Sequence, residues 1–411
     1  MKRIDSFIFN HTIEVNSSKS HLQRALALSL LAENKTTLIG CDQSRDVKAC
    51  KQILRDLGCE VGGSNTLHIK SRQQKKLEQV EIFVGESGLA LRMFSPIAKL
   101  FSKTVIIHAE GSLIFRPIDS LVDSLHKSGI QVEQSTSIFP LILTGELSSK
   151  EIYLDGNFSS QILTGLLIST PLLPHDTTIF VENLTSKPYI DLTLEIIRDF
   201  GIDILHENYE RFEVKGNQEY VGQIYQIEGD WSGAANHIVG AAISGNVHLL
   251  GLQEKSKQPD RYVLNVIQDF GARYEWKDGN LIVSKSEIKQ PFSIDLTDYP
   301  DLFPILSILA CSASGTSSFT GTNRLIYKES NRLETVKEML TVFGVKYTLS
   351  ENKIDIHGTG NICGGKIHCH NDHRIAMAAS IAACFSSSFI ELDNPYCIDK
   401  SYPGFLNDLK I

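Results

Sequence analysis

The hydrophobic and polar positions of this chain repeat with a period of about 70 residues. Each copy reads as an amphipathic helix, then a glycine, then two short runs rich in β-branched and aromatic residues. The helix-to-strand segments are CKQILRDLGCEV, LVDSLHKSGIQV, LEIIRDFGIDI, LNVIQDFGARY and VKEMLTVFGVKY. A glycine directly after a helix is typical of a C-cap with positive φ, and the residues after it favour a hairpin. The pattern predicts these C-caps at Gly58, Gly129, Gly201, Gly271 and Gly344.

A second, more apolar helix precedes the amphipathic helix in each repeat. These helices begin at SHLQRALAL, SGLALRMF, SSQILTGLL, WSGAANHIV, PDLFPILSI and NDHRIAMAA. A helix that is apolar all round is buried, and a serine or aspartate at its start is a common N-cap. Capping does not explain the cations in these first turns, because a cation there opposes the helix dipole unless an anion is bound. The cationic residues are Lys19, Arg24, Arg92, His373 and Arg374.

The sixth repeat reaches the end of the chain before its strands. GFLNDLKI supplies its amphipathic helix, and we expect the N-terminal segment FIFNHTIEV to supply the missing strands. A chain of 411 residues is long enough for two domains. We therefore predict a three-repeat domain over residues 17–227 and a second domain that combines residues 1–16 with 228–411.

One basic residue stands just before each amphipathic helix. The six are Arg45, Arg116, Lys187, Lys257, Lys328 and Lys400. One lysine at such a place would be an ordinary surface charge, but six in register predict a ring of cations. A hydrogen bond from arginine or lysine to a phosphate or carboxylate contributes about 1.5–3 kcal/mol. The ring, together with the first-turn cations, fits two small polyanions better than one.

Two carboxylates interrupt these basic stretches, Asp301 in DYPDLFP and Glu329 in YKESNR. The structural interpretation is helix capping by Asp301 and an i, i+3 ion pair between Glu329 and Arg332. The chemical interpretation is proton transfer to or from a bound anion. The sequence contains no nucleophile elbow or Walker loop. Electrostatic and acid–base catalysis is therefore favoured over covalent catalysis.

Composition narrows the class of protein. The formal charge of −8 and the pI near 5.9 exclude a general nucleic-acid binder, which needs a dominant basic face. No apolar run reaches the roughly 18 residues of a membrane helix, so we expect a cytoplasmic protein without a membrane partner. The eight cysteines lack a C-x-x-C pair, and we expect reduced thiols. HCHNDHR lacks the i, i+4 ligand pair of a helical metal site, so we expect no metal.

Segments along nearly the whole chain resemble the 5-enolpyruvylshikimate 3-phosphate (EPSP) synthase family. They are SKSHLQRAL, GESGLALR, FRPIDSLVDSL, SSQILTGLL, SKPYIDLTL, EGDWSGAAN, YPDLFPIL, YKESNRL, NDHRIAMA and DKSYPGF. The resemblance implies an α/β fold of two globular domains, each with three β-α-β-α-β-β repeats, joined by a two-strand hinge. It implies a transferase of the shikimate pathway that moves the enolpyruvyl group of phosphoenolpyruvate to the 5-hydroxyl of shikimate 3-phosphate and releases phosphate. It also implies that neither a metal nor an organic cofactor is used, and we expect a monomer.

The resemblance assigns site residues position by position. Those for shikimate 3-phosphate are Lys19, Ser20, Arg24, Ser159, Ser160, Gln161, Ser186, Asp301 and Lys328. Those for phosphoenolpyruvate are Lys19, Gly88, Arg116, Gln161, Arg332, Arg374 and Lys400. By the same analogy Asp301 accepts the hydroxyl proton and Glu329 manages the methylene proton, with Lys19 a contender for either step.

Some positions depart from the family pattern. Glu86 and Leu89 lie in a segment that usually reads Asn-Ala-Gly-Thr, and Ser112 stands where many members have arginine. Gly88 leaves room beside phosphoenolpyruvate, so the resemblance implies sensitivity to the family inhibitor glyphosate.

Two other functions stay open at this point. The related enolpyruvyl transferase of UDP-N-acetylglucosamine shares the repeats, but it generally has a cysteine in the loop where this chain reads AEGSLIFRP. A non-catalytic phosphometabolite-binding protein would not need both Asp301 and Glu329.

Overall fold

The computed structural model describes residues 1–71, 75–134, 138–157 and 160–411. The chain forms two compact units. Lys19–Ile227 form one unit, which we call the continuous unit. Met1–Ser18 and Glu228–Ile411 form the other, which we call the discontinuous unit. The sequence predicted the two boundaries between residues 16 and 17 and between residues 227 and 228.

Helices occur in pairs along the chain. The α-helices are α1 (Lys19–Leu31), α2 (Arg45–Asp56), α3 (Gly88–Lys99), α4 (Asp119–Lys127), α5 (Gln161–Ser169), α6 (Lys187–Asp199), α7 (Trp231–Ser244), α8 (Val263–Phe270), α9 (Phe303–Ser312), α10 (Arg332–Val342), α11 (His373–Ala382) and α12 (Phe405–Asp408). Short 3₁₀ helices cover Gly111–Phe115, Thr170–Leu172, Pro259–Tyr262, Pro300–Leu302, Thr322–Tyr327, Ala383–Phe385 and Pro395–Lys400.

Short strands separate the helices. In the N-terminal part they are β1 (Lys2–Ile4), β2 (Asn10–Glu14), β3 (Thr36–Ile39), β4 (Glu60–Gly63), β5 (Thr66–Lys70), β6 (Leu77–Phe83), β7 (Ser102–His108), β8 (Ile130–Gln134), β9 (Leu141–Gly145), β10 (Glu151–Asp155), β11 (Thr177–Glu182), β12 (Leu205–Glu207), β13 (Arg211–Val214) and β14 (Ile224–Gln226). The remainder are β15 (Asn246–Leu250), β16 (Arg273–Lys277), β17 (Asn280–Ser284), β18 (Ser293–Asp295), β19 (Ser314–Thr320), β20 (Lys346–Ser350), β21 (Lys353–Thr359), β22 (Gly365–Ile367) and β23 (Ile390–Leu392).

The odd-numbered helices are the apolar ones that the sequence predicts. All ten residues of α9 are buried, as are nine of the ten in α11, so these helices have no solvated face. The amphipathic helices carry the predicted glycines after their C-termini. The φ angles there are 94° at Gly58, 97° at Gly129, 96° at Gly201, 100° at Gly271 and 71° at Gly344, which a residue with a Cβ rarely adopts.

In the second, third and fifth repeats, the strands of one repeat form one sheet. In the second repeat β6 precedes α3 and pairs in parallel with β7, with Val80 opposite Val105. The β8–β9 hairpin follows α4, and β9 joins β7 antiparallel, with Val105 opposite Leu143. The order β6-β7-β9-β8 recurs as β10-β11-β13-β12 and β18-β19-β21-β20.

The first and fourth repeats exchange their first strands. β2 precedes α1 in the chain but pairs in parallel with β15 of the fourth repeat. β14 precedes α7 but pairs in parallel with β3 of the first repeat. The segments that follow these strands bond to each other, with Ser18 N donating to Glu228 O (2.7 Å) and Asp230 N donating to Asn16 O (2.8 Å).

The prediction of the segment that completes the sixth sheet was wrong. FIFNHTIEV does not join that sheet, because its residues Asn10–Glu14 form β2 of the fourth-repeat sheet. Lys2–Ile4 complete it instead, as β1 pairs antiparallel with β23 and places Lys2 opposite Leu392. The reason is the exchange: β14 is paired with β3, so the fourth sheet needs β2 as its first strand.

Each unit has its own hydrophobic core between its sheets and its apolar helices. In the continuous unit the core runs from Leu22 to Ile227, and in the discontinuous unit it includes Ile4 and Ile13 together with residues from Trp231 onwards. The cysteines are thiols rather than disulfides, and Cys363 is the exposed one. In the part of the chain that the structure describes, no helix has the length and apolarity needed to cross a membrane.

Candidate active site

The first turn of α1 places Lys19 against a carboxylate. Its Nζ lies 2.9 Å from Asp46 Oδ2, and both side chains are largely buried. Asp46 lies in the first turn of α2, where the helix dipole favours an acid. The neighbouring Asp42 has its pKa raised to about 6, mainly by burial, with Lys19 opposing the shift. Asp46 and Asp42 therefore both attract the Lys19 ammonium group at the start of α1.

Arg24 is buried within the continuous unit. Its Nε donates to Thr193 Oγ1 (2.8 Å) and its Nη1 donates to Ser20 O (2.9 Å). A further donor, Nη2, lies 3.4 Å from Tyr189 O. Burial lowers the pKa of Arg24 to about 10, so the guanidinium stays charged at neutral pH. These bonds fix the first turn of α1 relative to α6, and the contact of Arg24 with shikimate 3-phosphate stays a prediction.

Gly88 begins α3 beside two guanidinium groups. A Cβ built on this glycine would lie 3.0 Å from Arg92 Nη1, 3.2 Å from Arg116 Nη1 and 3.7 Å from Gln161 Oε1. The structure therefore brings together three residues that the sequence assigned to phosphoenolpyruvate, and adds Arg92 to them. Two cations at a helix N-terminus are suited to binding an anion.

Glu86 and Ser112, two of the departures from the family pattern, form one chain of hydrogen bonds with Arg116. Glu86 Oε1 accepts from Ser112 N (2.8 Å), and Ser112 Oγ accepts from Arg116 Nη2 (3.0 Å). A Cβ at Gly111 would lie 2.2 Å from Glu86 Oε1, so this close approach requires a glycine. Glu86 and Ser112 thus position Arg116.

The predicted serines lie at the starts of helices α5 and α6. Ser160 is buried immediately before α5 and makes no side-chain cap. Ser186 is buried immediately before α6 in a left-handed conformation (φ 58°). Ser159 lies outside the described residues.

In the discontinuous unit, Arg332 bonds to three carboxylates. Its Nη1 donates to Asp301 Oδ1 (2.6 Å), its Nη2 to Glu329 Oε2 (2.5 Å) and its Nε to Asp372 Oδ2 (2.9 Å). The i, i+3 pair with Glu329 is the one that the sequence predicts. The sequence did not predict a role for Asp372. The residue directly precedes His373 and Arg374 in NDHR, which is the position of an N-cap, and it is the N-cap of α11 in the structure.

Asp301 faces cations instead of capping α9. The N-cap of α9 is Leu302, and it makes no side-chain cap. Asp301 Oδ2 lies 3.0 Å from Arg374 Nη2, and Oδ1 lies 3.7 Å from Lys328 Nζ. Burial alone raises the pKa of Asp301, but Arg374, Lys328 and Arg332 outweigh it and hold the pKa well below its usual range. Asp301 is therefore an ionised carboxylate within a cationic cluster.

Lys328 and Lys400 are two further cations that the sequence assigned to the substrates. Burial is the main cause that lowers the pKa of Lys328 to about 8, with Asp301 opposing it. Lys400 is buried, and its Nζ donates to Asn371 O (2.7 Å) two residues before His373. This bond ties the loop of Lys400 to the start of α11.

The six periodic cations fall into two groups. Arg116, Lys328 and Lys400 are half-buried or buried in the clusters described above, whereas Arg45, Lys187 and Lys257 are exposed. The predicted ring of all six stays a prediction.

The histidines of HCHNDHR have separate acidic partners. His368 Nδ1 bonds to Asp393, and His370 Nε2 lies 2.6 Å from Glu338 Oε2. Across residues 1–71, 75–134, 138–157 and 160–411, no group of three or more His, Cys, Asp or Glu side chains has the arrangement of a metal site.

Comparison with known proteins identifies the family. The family model described as EPSP synthase (3-phosphoshikimate 1-carboxyvinyltransferase) matches residues 8–409. The chain belongs to the EPSP synthase family. This confirms the resemblance to EPSP synthase that the sequence motifs indicated.

Relatives of the EPSP synthase family match along nearly their whole length. The 3-phosphoshikimate 1-carboxyvinyltransferase of Clostridium beijerinckii is 35% identical over 410 residues, which cover 97% of this chain and 94% of that protein. The enzyme of the same name from Clostridium acetobutylicum is 33% identical over 404 residues, with 97% and 94% covered. A solved EPSP synthase from Acinetobacter baumannii superposes with a TM-score of 0.82 at 25% identity, over 99% of this chain and 97% of that one. The two-domain α/β fold class is therefore confirmed.

Proposed function

We propose that this protein is a 3-phosphoshikimate 1-carboxyvinyltransferase, which transfers the enolpyruvyl group of phosphoenolpyruvate to the 5-hydroxyl of shikimate 3-phosphate and releases phosphate. The observation that carries the proposal is the ionised Asp301 carboxylate among Arg332, Arg374 and Lys328. This cluster combines a proton acceptor with cations for an anionic substrate. Membership of the EPSP synthase family supports the choice of substrates.

Both units contain residues that we assign to the substrates. In the continuous unit, the side chains of Arg116 and Gln161 lie beside Gly88, and we assign all three residues to an anionic group of phosphoenolpyruvate. Arg116 Nε is buried and has no hydrogen-bond partner among the described residues, which fits a donor reserved for substrate. In the discontinuous unit, Arg374 and Lys328 supply cations beside Asp301. We also propose that the two units are the two three-repeat domains.

The addition step joins the 5-hydroxyl oxygen to the second carbon of phosphoenolpyruvate. The hydroxyl proton passes to Asp301, and a proton donated by Glu329 or Lys19 converts the methylene carbon to a methyl group. Asp301 is a weak base while three cations hold its pKa down. Substrate anions that neutralise Arg374 and Lys328 raise that pKa and make Asp301 a better proton acceptor.

The elimination step breaks the bond between that carbon and the phosphate oxygen. Phosphate leaves with the proton that Asp301 had accepted, and the methyl group returns a proton to Glu329 or Lys19, whichever donated one, which restores the carbon–carbon double bond. Arg332 Nη2, at 2.5 Å from Glu329 Oε2, sets the position of this carboxyl group. The step involves no net oxidation, so it needs only proton transfer and support for the charge on the leaving phosphate.

A phosphate-release assay with both substrates tests the proposal. We expect turnover by the wild-type protein and a loss of about 10²–10⁴ in kcat for Asp301→Asn, because an acid–base residue contributes about that much. Asp278→Asn, an exposed turn position, is the matched control and should keep wild-type activity.

Two outcomes would contradict it. Substrate binding without phosphate release would favour the non-catalytic binder, and turnover only when UDP-N-acetylglucosamine replaces shikimate 3-phosphate would favour the related transferase.

A further inference from the structure

Asp260 is a buried carboxylate to which the proposed mechanism gives no role. It lies in the 3₁₀ helix Pro259–Tyr262 and is 1% exposed. The residue before this helix anchors it, because Gln258 Oε1 accepts from Trp231 N (3.2 Å) and Gln258 Nε2 donates to Glu228 Oε2 (2.8 Å). Asp260 is therefore held in a fixed position at the start of α7.

The Asp260 carboxylate faces Arg374. Its Oδ2 lies 3.6 Å from Arg374 Nη1 and accepts a hydrogen bond from Ser232 Oγ. Its Oδ1 is buried and has no hydrogen-bond partner among the described residues. Arg374 therefore lies between two carboxylates, with Asp301 Oδ2 at 3.0 Å from its Nη2.

The carboxylates of Asp301 and Asp260 have different roles in the proposed reaction. Asp301 gives up its charge when it accepts the hydroxyl proton, so at that moment it no longer holds Arg374 by an ion pair. Asp260 takes no part in that proton transfer, and it keeps its charge because the neutral Asp301 no longer raises its pKa. We propose that Asp260 is a positioning residue, whose carboxylate keeps the Arg374 guanidinium in place for phosphoenolpyruvate while Asp301 transfers its proton. This inference rests on the proposed function.

The charge on Asp260 is sensitive to pH. Besides Arg374 of α11, the groups that face it are Asp230 and Ser232 at the start of α7 and Asp301 of the Pro300–Leu302 helix. Burial is the main cause that raises its pKa to about 6, with Arg374 opposing and Asp301 adding to the shift. As the pH falls through about 6, Asp260 becomes neutral and its hold on Arg374 weakens.

The test compares kcat/KM for phosphoenolpyruvate in the wild type and in Asp260→Asn between pH 5 and 7.5. At pH 7.5 we expect kcat/KM for phosphoenolpyruvate to fall about tenfold in the variant, because Arg374 is then not held in place while Asp301 carries the proton, with the KM for shikimate 3-phosphate nearly unchanged. The ratio of wild-type to variant kcat/KM should fall toward one as the pH approaches 5. Ionisation of the substrates cancels in this ratio.

Two further variants sharpen the result. Ser232→Ala removes the hydrogen bond that stabilises the Asp260 anion, so its fall in kcat/KM should begin at a higher pH than in the wild type. This variant also carries the test if Asp260→Asn does not fold. Asp269→Asn, on the exposed face of α8, should follow the wild type at every pH.

The outcomes separate this inference from the proposed function. No turnover in the wild type would refute the proposed function. Turnover in the wild type together with an unchanged kcat/KM for phosphoenolpyruvate in Asp260→Asn, or a loss in that variant that is the same at every pH, would refute the role of Asp260.

Discussion

Arg332 and Asp372 form an ion pair with no exposed surface, in which Nε and Oδ2 lie 2.9 Å apart. Burial opposes the charge on Arg332, but Asp372, Glu329 and Asp301 outweigh it and raise the pKa of the guanidinium well above its usual value. Asp372 also caps α11, as its Oδ1 accepts from Arg374 N (3.0 Å). One carboxylate thus connects the starts of α10 and α11, from which the proposed anion-binding arginines project.

Asp372→Ala should destabilise the discontinuous unit. It leaves a buried guanidinium with one carboxylate fewer, and removing a partner from a buried ion pair costs about 3 kcal/mol or more. Denaturant unfolding can be followed by tryptophan fluorescence, because Trp231 and Trp276 both lie in this unit. The matched control is Glu334→Ala, which breaks a surface pair with Lys337 on the same helix and should cost less than about 1 kcal/mol. Equal losses in the two variants would contradict the importance of the buried pair.

The pKa of Lys328, lowered to about 8 mainly by burial, predicts a pH-dependent affinity. The ammonium group is charged below that pH and neutral above it. Binding of shikimate 3-phosphate should therefore weaken by about tenfold as the pH rises from 7 to 9.5, as a charge-assisted hydrogen bond is lost. Calorimetric titration across this range measures the change.

Lys328→Arg gives the diagnostic comparison. Arginine keeps its charge throughout this range, so the affinity of the variant should not fall as the pH rises. Lys257→Arg changes the exposed lysine at the corresponding place in the fourth repeat and should behave as the wild type. A fall of the same size in Lys328→Arg would assign the pH dependence to another group.

Glu86 should act on phosphoenolpyruvate through Ser112 and Arg116. Glu86→Ala removes the acceptor of Ser112 N, so we expect the KM for phosphoenolpyruvate to rise by about five- to tenfold with little change in kcat. Glu86→Gln keeps an acceptor oxygen and should lose less. Steady-state kinetics with Glu81→Ala, an exposed position on β6, provides the control. Equal KM values in Glu86→Ala and the wild type would remove Glu86 from the support of Arg116.

The sequence was sufficient for features that depend on local conformation. Gly58 and Gly344 were predicted to have positive φ because no other residue suits a helix C-cap as well, and both have it. The burial of α9 followed from its predominantly apolar sequence. The pair of Glu329 and Arg332 followed from helical spacing.

Contacts between distant segments could not be predicted in the same way. Asp372 and Asp260 carry no local sign that they bond to Arg332 and Arg374, because the contacts arise only when helices from different repeats pack together. Arg24 was singled out as an unusual cation in a first turn, but it is the sixth residue of α1 and lies in the second turn. Its bonds to Thr193 and to the backbone of Tyr189 depend on the packing of α1 against α6.

The exchange of first strands between repeats could not be predicted from the sequence either. An alternating pattern indicates that a segment is a strand, but it does not say which sheet the strand joins. β2 and β14 each have the pattern of the first strand of a repeat, and that pattern fits the first-repeat sheet and the fourth-repeat sheet equally well. β1 is too short to be recognised by its pattern. The error over FIFNHTIEV arose from this choice.

The role of β1 in closing the sixth sheet can be tested with two isoleucines of the N-terminal segment. Ile4 lies on β1 and is 1% exposed, whereas Ile8, outside the strands, is 77% exposed. Ile4→Ala should lower the free energy of unfolding of the discontinuous unit by about 2–3 kcal/mol, because it leaves a cavity between β1 and the core. Ile8→Ala should change it by less than about 0.5 kcal/mol. Tryptophan fluorescence during denaturant unfolding measures both. If Ile4→Ala were as stable as Ile8→Ala, then β1 would contribute only backbone hydrogen bonds to β23, and the sixth sheet would not depend on the N-terminus for its packing.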